Sequence, residues 1–235
     1  MGVAMKNRLN YIDGLRAIAA IMVVIQHSME KTVEFSGLGW PLLDSMNFGR
    51  FGVLLFFLVS GFVVPFSFSG ERPVLNFAMS RAFRILPAFW LSVGVGLLFN
   101  GMLDPQSLLI NLAMLARPLG APEISGVHWS LSYELGFYVF SAFAYSLGWL
   151  DKPKVIVRIL GLLIAWCILA RDEGRIHFCF MFAGLFLRLA LIEGKIEAQK
   201  AWPSVCAILA FASAWSSWDA ADSRFFTLLA TLTGN

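Results

Sequence analysis

Apolar runs broken by short polar or Gly/Pro stretches divide the chain from end to end. They cover about 12–29, 49–68, 87–103, 127–149, 154–170, 177–193, 202–218 and 225 onward. At 1.5 Å of rise per residue, most could cross a hydrocarbon layer of about 30 Å as helices, or nearly so. The pattern predicts an all-α fold, a polytopic transmembrane helix bundle of about eight hydrophobic segments. Ser107–Ala116 is apolar but short, and reads as interfacial or re-entrant. The last run, Phe225–Leu232, is too short to span. The expectation is one membrane-embedded domain over 1–235 that stops partway through a bundle.

Composition sharpens this picture. Of 235 residues, 58% are hydrophobic and 14% charged, against about 25% charged in a soluble domain. Disordered chains, disulfide scaffolds and soluble enzymes do not look like this. The net charge of +3 is spread between apolar runs, so it speaks for topology and not for nucleic acid. With a cytoplasmic N-terminus and 107–116 not crossing, most Lys and Arg fall on the cytoplasmic side, which supports that orientation. Asp13 and Arg16 interrupt the approach to the first run and no small-residue cleavage site follows, so it reads as a retained helix. Cys167, Cys179 and Cys206 lie in apolar segments and read as small core residues.

Polar residues at membrane depth are the candidates for chemistry, because each is costly there without a partner. Arg16 and His27 are eleven residues apart. Eleven steps of about 100° return to within about 20° of the same face, about 16 Å along the axis. Asp13 lies near that face. Ser130, Glu134 and Tyr138 follow at helical spacing behind Trp129 and form a second polar stripe. The bland alternatives are an Asp13–Arg16 pair with a hydrogen-bonded core His27, and a Glu134 that only neutralises a cation. Arg81 and Arg84, one turn apart, precede Pro87, which suits the first turn of a helix. Two guanidiniums could hold a phosphorylated ligand or simply anchor the chain at lipid phosphates. Ser60-Gly61 reads as a close-packing pair. His128 reads as interfacial. The histidines lack metal-ligand spacing.

Four ordered motifs carry a resemblance. Tyr11-Ile-Asp-Gly-Leu-Arg16 with His27, Phe56-Phe57-Leu-Val-Ser60-Gly61-Phe62, Arg81-x-x-Arg84-x-x-Pro87, and Trp129-Ser-Leu-Ser-Tyr-Glu134-Leu-Gly-Phe-Tyr138 together resemble the acyltransferase 3 family of membrane O-acyltransferases. Phe180-Met-Phe-Ala-Gly184 is similar to a further familial stretch. The resemblance implies transfer of an acyl group, with acetyl the expected case, from acyl-CoA to a hydroxyl of a surface glycan or related acceptor. It implies roles for Arg16, His27 and Glu134 in catalysis and for Arg81 and Arg84 in donor binding. It also implies a multi-pass protein of a bacterial inner membrane, with acyl-CoA as cosubstrate and no bound cofactor. Members of the family usually carry further C-terminal helices.

An imidazole titrates close to neutral pH, so His27 suits removal of the acceptor's proton, or transient acylation. Arg16 and Glu134 would stabilise charge in a low-dielectric cavity. Asp13, Ser130, Tyr138 and Trp129 would support them. Two other classes fit an intramembrane Arg, His and Glu: a proton-coupled transporter and a non-catalytic, truncated remnant of the family.

Overall fold

The structure, a computed structural model, describes residues 2–36, 48–101, 104–126, 128–170 and 173–216. Among the described residues every regular element is helical, with no strand. In chain order they are α1 (Gly2–Ser36), α2 (Phe48–Val63), a 3-10 turn (Val64–Ser67), α3 (Pro73–Asn100), α4 (Pro105–Leu112), α5 (Ala116–Leu119), α6 (Trp129–Ser146), α7 (Pro153–Ala170), α8 (Glu173–Leu191) and α9 (Ile196–Ser216). Among the described residues, three helical stretches are long and apolar enough to cross a membrane: Tyr11–Glu30, Phe48–Ser67 and Pro73–Phe99. The run expected from 225 onward lies outside the described residues.

One expected boundary is corrected. The third long helix begins at Pro73, not at 87, so Pro87 is inside a helix and not in its first turn. Pro73 takes the first-turn position, where a missing N–H costs nothing. No Gly or Pro interrupts residues 74–86. A single interior proline forfeits one backbone bond, which apolar helices tolerate when their neighbours support them.

The chain divides into two compact units. In the first, α2 is packed on both sides. Gly52 and Gly61 are nine residues apart, which turns them about 180° from one another on a helix. A Cβ at Gly52 would lie 2.6 Å from the Ala19 carbonyl oxygen of α1, and one at Gly61 only 1.8 Å from that of Met181 on α8. On α8, a Cβ at Gly184 would meet the Leu58 carbonyl oxygen at 1.9 Å. Glycine therefore lets α1 and α8 reach the backbone of α2, the device small residues provide between apolar helices. The buried Phe57 fills the remaining space and meets the His177 ring edge-on at 5.4 Å. Ser60 is buried, as close packing requires. Cys167 and Cys179 face each other across α7 and α8 with sulfurs 3.5 Å apart, whereas Cys206 is exposed rather than in the core.

The second unit contains α3 to α6 and the 3-10 turn. Asp104 caps α4 by accepting from the Ser107 N–H at 3.0 Å, which holds its carboxyl below the usual aspartate range. Pro105 follows at the first helical position. Eight residues rise about 12 Å, so α4 is too short to cross a bilayer. Asn111 fastens the following chain. Its Nδ2 donates to Ser107 O at 2.9 Å and Pro122 O at 2.8 Å, and its Oδ1 accepts from Ile124 N at 3.1 Å. Ile124 thereby joins Phe89, Val93 and Met114 in the core of this unit.

The glycine contacts make a sharp prediction. Gly184→Ala forces a methyl group into backbone and is expected to destabilise the protein by at least about 1–3 kcal/mol. Gly161→Ala, with nothing within 4 Å of its Cβ, is expected to stabilise it by about 0.5–1 kcal/mol. Thermal midpoints in detergent check the pair.

Candidate functional site

The second unit assembles most of the predicted polar residues. Phe77 and Arg81 lie one turn apart on α3, and Glu134 and Tyr138 one turn apart on α6. The Arg81 side chain is buried, with 8% of its surface exposed. Its Cζ lies 5.5 Å from the Phe77 ring centre and 5.3 Å from that of Tyr138. Its Nη2 donates to Ser67 Oγ, and its Nε has no hydrogen-bond partner among the described residues. The Tyr138 hydroxyl donates to Glu134 Oε1. Both residues are buried, so the polar stripe expected on this helix forms a bonded pair. Ser130 and Trp129 are half-buried at its start, where Trp129 meets Tyr133 edge-on at 5.9 Å.

The 3-10 turn completes this arrangement. It delivers Ser67 to Arg81 and places Phe68 between Phe77 and Tyr145, each ring centre 4.4 Å away. Beside Arg81 lies a cavity of about 230 Å³. The two arginines part company here. Arg81 lines that cavity, whereas Arg84 is exposed and does not. His128, expected at an interface, is instead buried, with its Nε2 2.9 Å from Ser92 Oγ and its ring against Phe89.

The first unit holds Arg16, His27 and Asp13. The residues of α1 that are at least half-buried include Ile12, Arg16, Ala19, Val23 and Gln26, and their spacing traces one face. Arg16 sits on this face, its Cζ 5.2 Å from the ring centre of Phe56 on α2. His27 lies about 100° beyond the buried Gln26 and at the rim of that face, with its side chain 56% exposed. Asp13 is exposed. Arg16 and His27 thus share an edge of α1, but only Arg16 is packed.

A partner of His27 was missed in the sequence. Glu30 Oε2 is 3.1 Å from His27 Nδ1, and Glu30 Oε1 accepts from Gln26 Nε2 at 2.9 Å. The signal was present in the three-residue spacing. A carboxylate can only accept, so a neutral His27 carries its hydrogen on Nδ1 and its lone pair on Nε2. Ser67 had no such signal, being fourteen residues from Arg81. Among the described residues no group of three or more His, Cys, Asp or Glu could hold a metal ion.

Residues 9–231 match a family described as an acyltransferase domain. The chain is 35% identical to the exopolysaccharide production protein ExoZ of Rhizobium meliloti (strain 1021), over 54% of the chain and 44% of that protein. It is 30% identical to nodulation protein 10 of Rhizobium leguminosarum bv. viciae, over 55% of the chain and 42% of that protein. It is also 30% identical to acyltransferase MdmB of Streptomyces mycarofaciens, over 68% and 43%. The matches thus span less than half the length of each of these relatives. No solved structure matches significantly.

The Tyr138–Glu134 contact gives a test of the site's construction. Tyr138→Phe keeps the ring near Arg81 but leaves a buried carboxyl without its donor. We expect a loss of about 1–3 kcal/mol. Most of that loss should vanish in a Glu134→Leu background, and a double-mutant cycle on thermal stability measures it.

Proposed function

The chain belongs to the acyltransferase 3 family, and from that premise we propose that it is a membrane-bound O-acyltransferase that moves an acyl group from acyl-CoA to a hydroxyl of a surface glycan. The carbonyl carbon leaves sulfur for oxygen: the C–S bond of the thioester breaks and a C–O ester bond forms. The hydroxyl proton passes to a base and then to the departing thiolate. The name of ExoZ supports a glycan acceptor. That of MdmB supports acyl transfer as the reaction.

The observation that carries this reading is the His27–Glu30 contact. Glu30 holds Nδ1, which turns the basic Nε2 outward, and Nε2 has no hydrogen-bond partner among the described residues. A thioester is already activated, so the remaining demand is a base that can take a hydroxyl proton near neutral pH. Arg16 stabilises the carbonyl oxygen as it becomes anionic, Glu134 fixes geometry, and Asp13, Ser130 and Trp129 act in support. Arg81 and Arg84 bind the donor. The proposed setting is a bacterial inner membrane, with the donor supplied from the cytoplasm.

The test uses membranes containing the full-length protein and acetyl-CoA labelled in the acetyl group, with glycans analysed afterwards. We expect label to enter the glycan as an ester. His27→Ala should lower transfer by at least about 10²-fold while insertion is unchanged. Glu30→Leu should lower it less and shift its pH profile. Full activity of His27→Ala would remove the imidazole from the mechanism. Solute flux without thioester consumption would favour a transporter instead.

A further inference from the structure

The cavity beside Arg81 is built for more than an acetyl group. Its wall is almost wholly carbon, from Ala78, Ile85 and Leu86 on α3 and Leu135, Val139 and Ala142 on α6. The alanines create the space, since larger residues at those positions would fill it. Among the described residues lining it, the one charged side chain is Arg81, more than nine-tenths buried, with an Nε–H that no described residue accepts. A guanidinium cannot discharge itself by losing a proton. An unsatisfied buried donor costs about 1–3 kcal/mol, and more when charged. A ligand suited to this cavity is therefore mostly hydrocarbon, with an electron-rich group at the Arg81 end.

We propose that this cavity is the acyl-chain pocket of the enzyme, with the Arg81 guanidinium at its thioester end and the chain lying between α3 and α6. The proposal rests on the acyltransferase reading and deepens it. It moves Arg81 from the phosphate end of the donor to the thioester end, because a phosphate among these carbon walls would lose its hydration without replacement. The size of the chain follows from the volume. An apolar cavity of about 150 Å³ accepts benzene, so about 230 Å³ admits a chain of roughly six to eight carbons. The enzyme is thus suited to acyl groups longer than acetyl.

The experiment compares acetyl-, butanoyl-, hexanoyl- and octanoyl-CoA as donors for the full-length protein in membranes. Affinity should rise about fourfold per added methylene, the equivalent of about 0.8 kcal/mol per buried CH₂, and level off near eight carbons. Ala142→Phe, which fills the pocket outside the proposed catalytic residues, should abolish that gain. A second readout needs no turnover: a diazirine-bearing hexanoyl-CoA should label residues 77–86 and 135–142, and unlabelled hexanoyl-CoA should prevent it. If no donor is turned over but this labelling persists, the acyltransferase reading fails and the pocket stands. A flat chain-length profile that Ala142→Phe does not alter would overturn the pocket. So would labelling of the same residues by a photoreactive phospholipid that hexanoyl-CoA cannot displace, since the occupant would then be a bilayer tail.

Discussion

A guanidinium held among apolar side chains must be stabilised locally, and much of the second unit follows from meeting that demand at Arg81. The ring faces of Phe77 and Tyr138 supply negative electrostatic potential. One hydroxyl, from Ser67, takes a single N–H. Ser67 reaches it from the 3-10 turn at Val64–Ser67. Phe68 then stacks between Phe77 and Tyr145, which ties the turn to both α3 and α6. A cation on one helix thereby fixes where a loop and a second helix lie.

Arg16 in the first unit uses the same physics in a plainer form. Its charge rests on Phe56 of α2. That contact requires α1 and α2 to lie close, and the approach of Gly52 to the Ala19 carbonyl provides it. Because Gly61 turns the opposite face of α2 to α8, α2 cannot shift toward either neighbour without colliding with it. The glycines set helix spacing, and the spacing sets which polar residues can be packed. His27, at the rim of the buried face of α1, escapes burial and takes its partner from its own helix.

The helical periodicities were legible in the sequence, and so were the polar positions on them. Arg16 on the buried face of α1 and the Glu134–Tyr138 stripe are consequences of about 100° per residue, which no tertiary contact needs to supply. What sequence could not separate was Arg81 from Arg84. Three residues place two side chains about 60° apart on a helix, near enough to look equivalent. The edge of a cavity, formed with α6 more than fifty residues away, makes one buried and the other exposed. The sequence reads Pro87 as a first-turn proline, whereas Pro73 already fills that role and α3 starts there. Glu30 is local to His27, but its signal is a three-residue spacing and not the phase that relates His27 to Arg16.

The choice of aromatic rings around Arg81 has a consequence for chemistry. A carboxylate at the same place would bind the guanidinium more tightly, but it would occupy two N–H donors and cancel the charge. Ring faces contribute about 0.5–2 kcal/mol each and occupy no donor. The carboxyl on the facing helix that might have competed, Glu134, has its Oε1 engaged by the Tyr138 hydroxyl. Tyr138 therefore acts through both parts of its side chain: the ring supports the cation, and the hydroxyl holds the anion to its own helix. That arrangement leaves the Arg81 charge uncancelled beside an apolar space, which suits a molecule that brings both an acceptor atom and a chain.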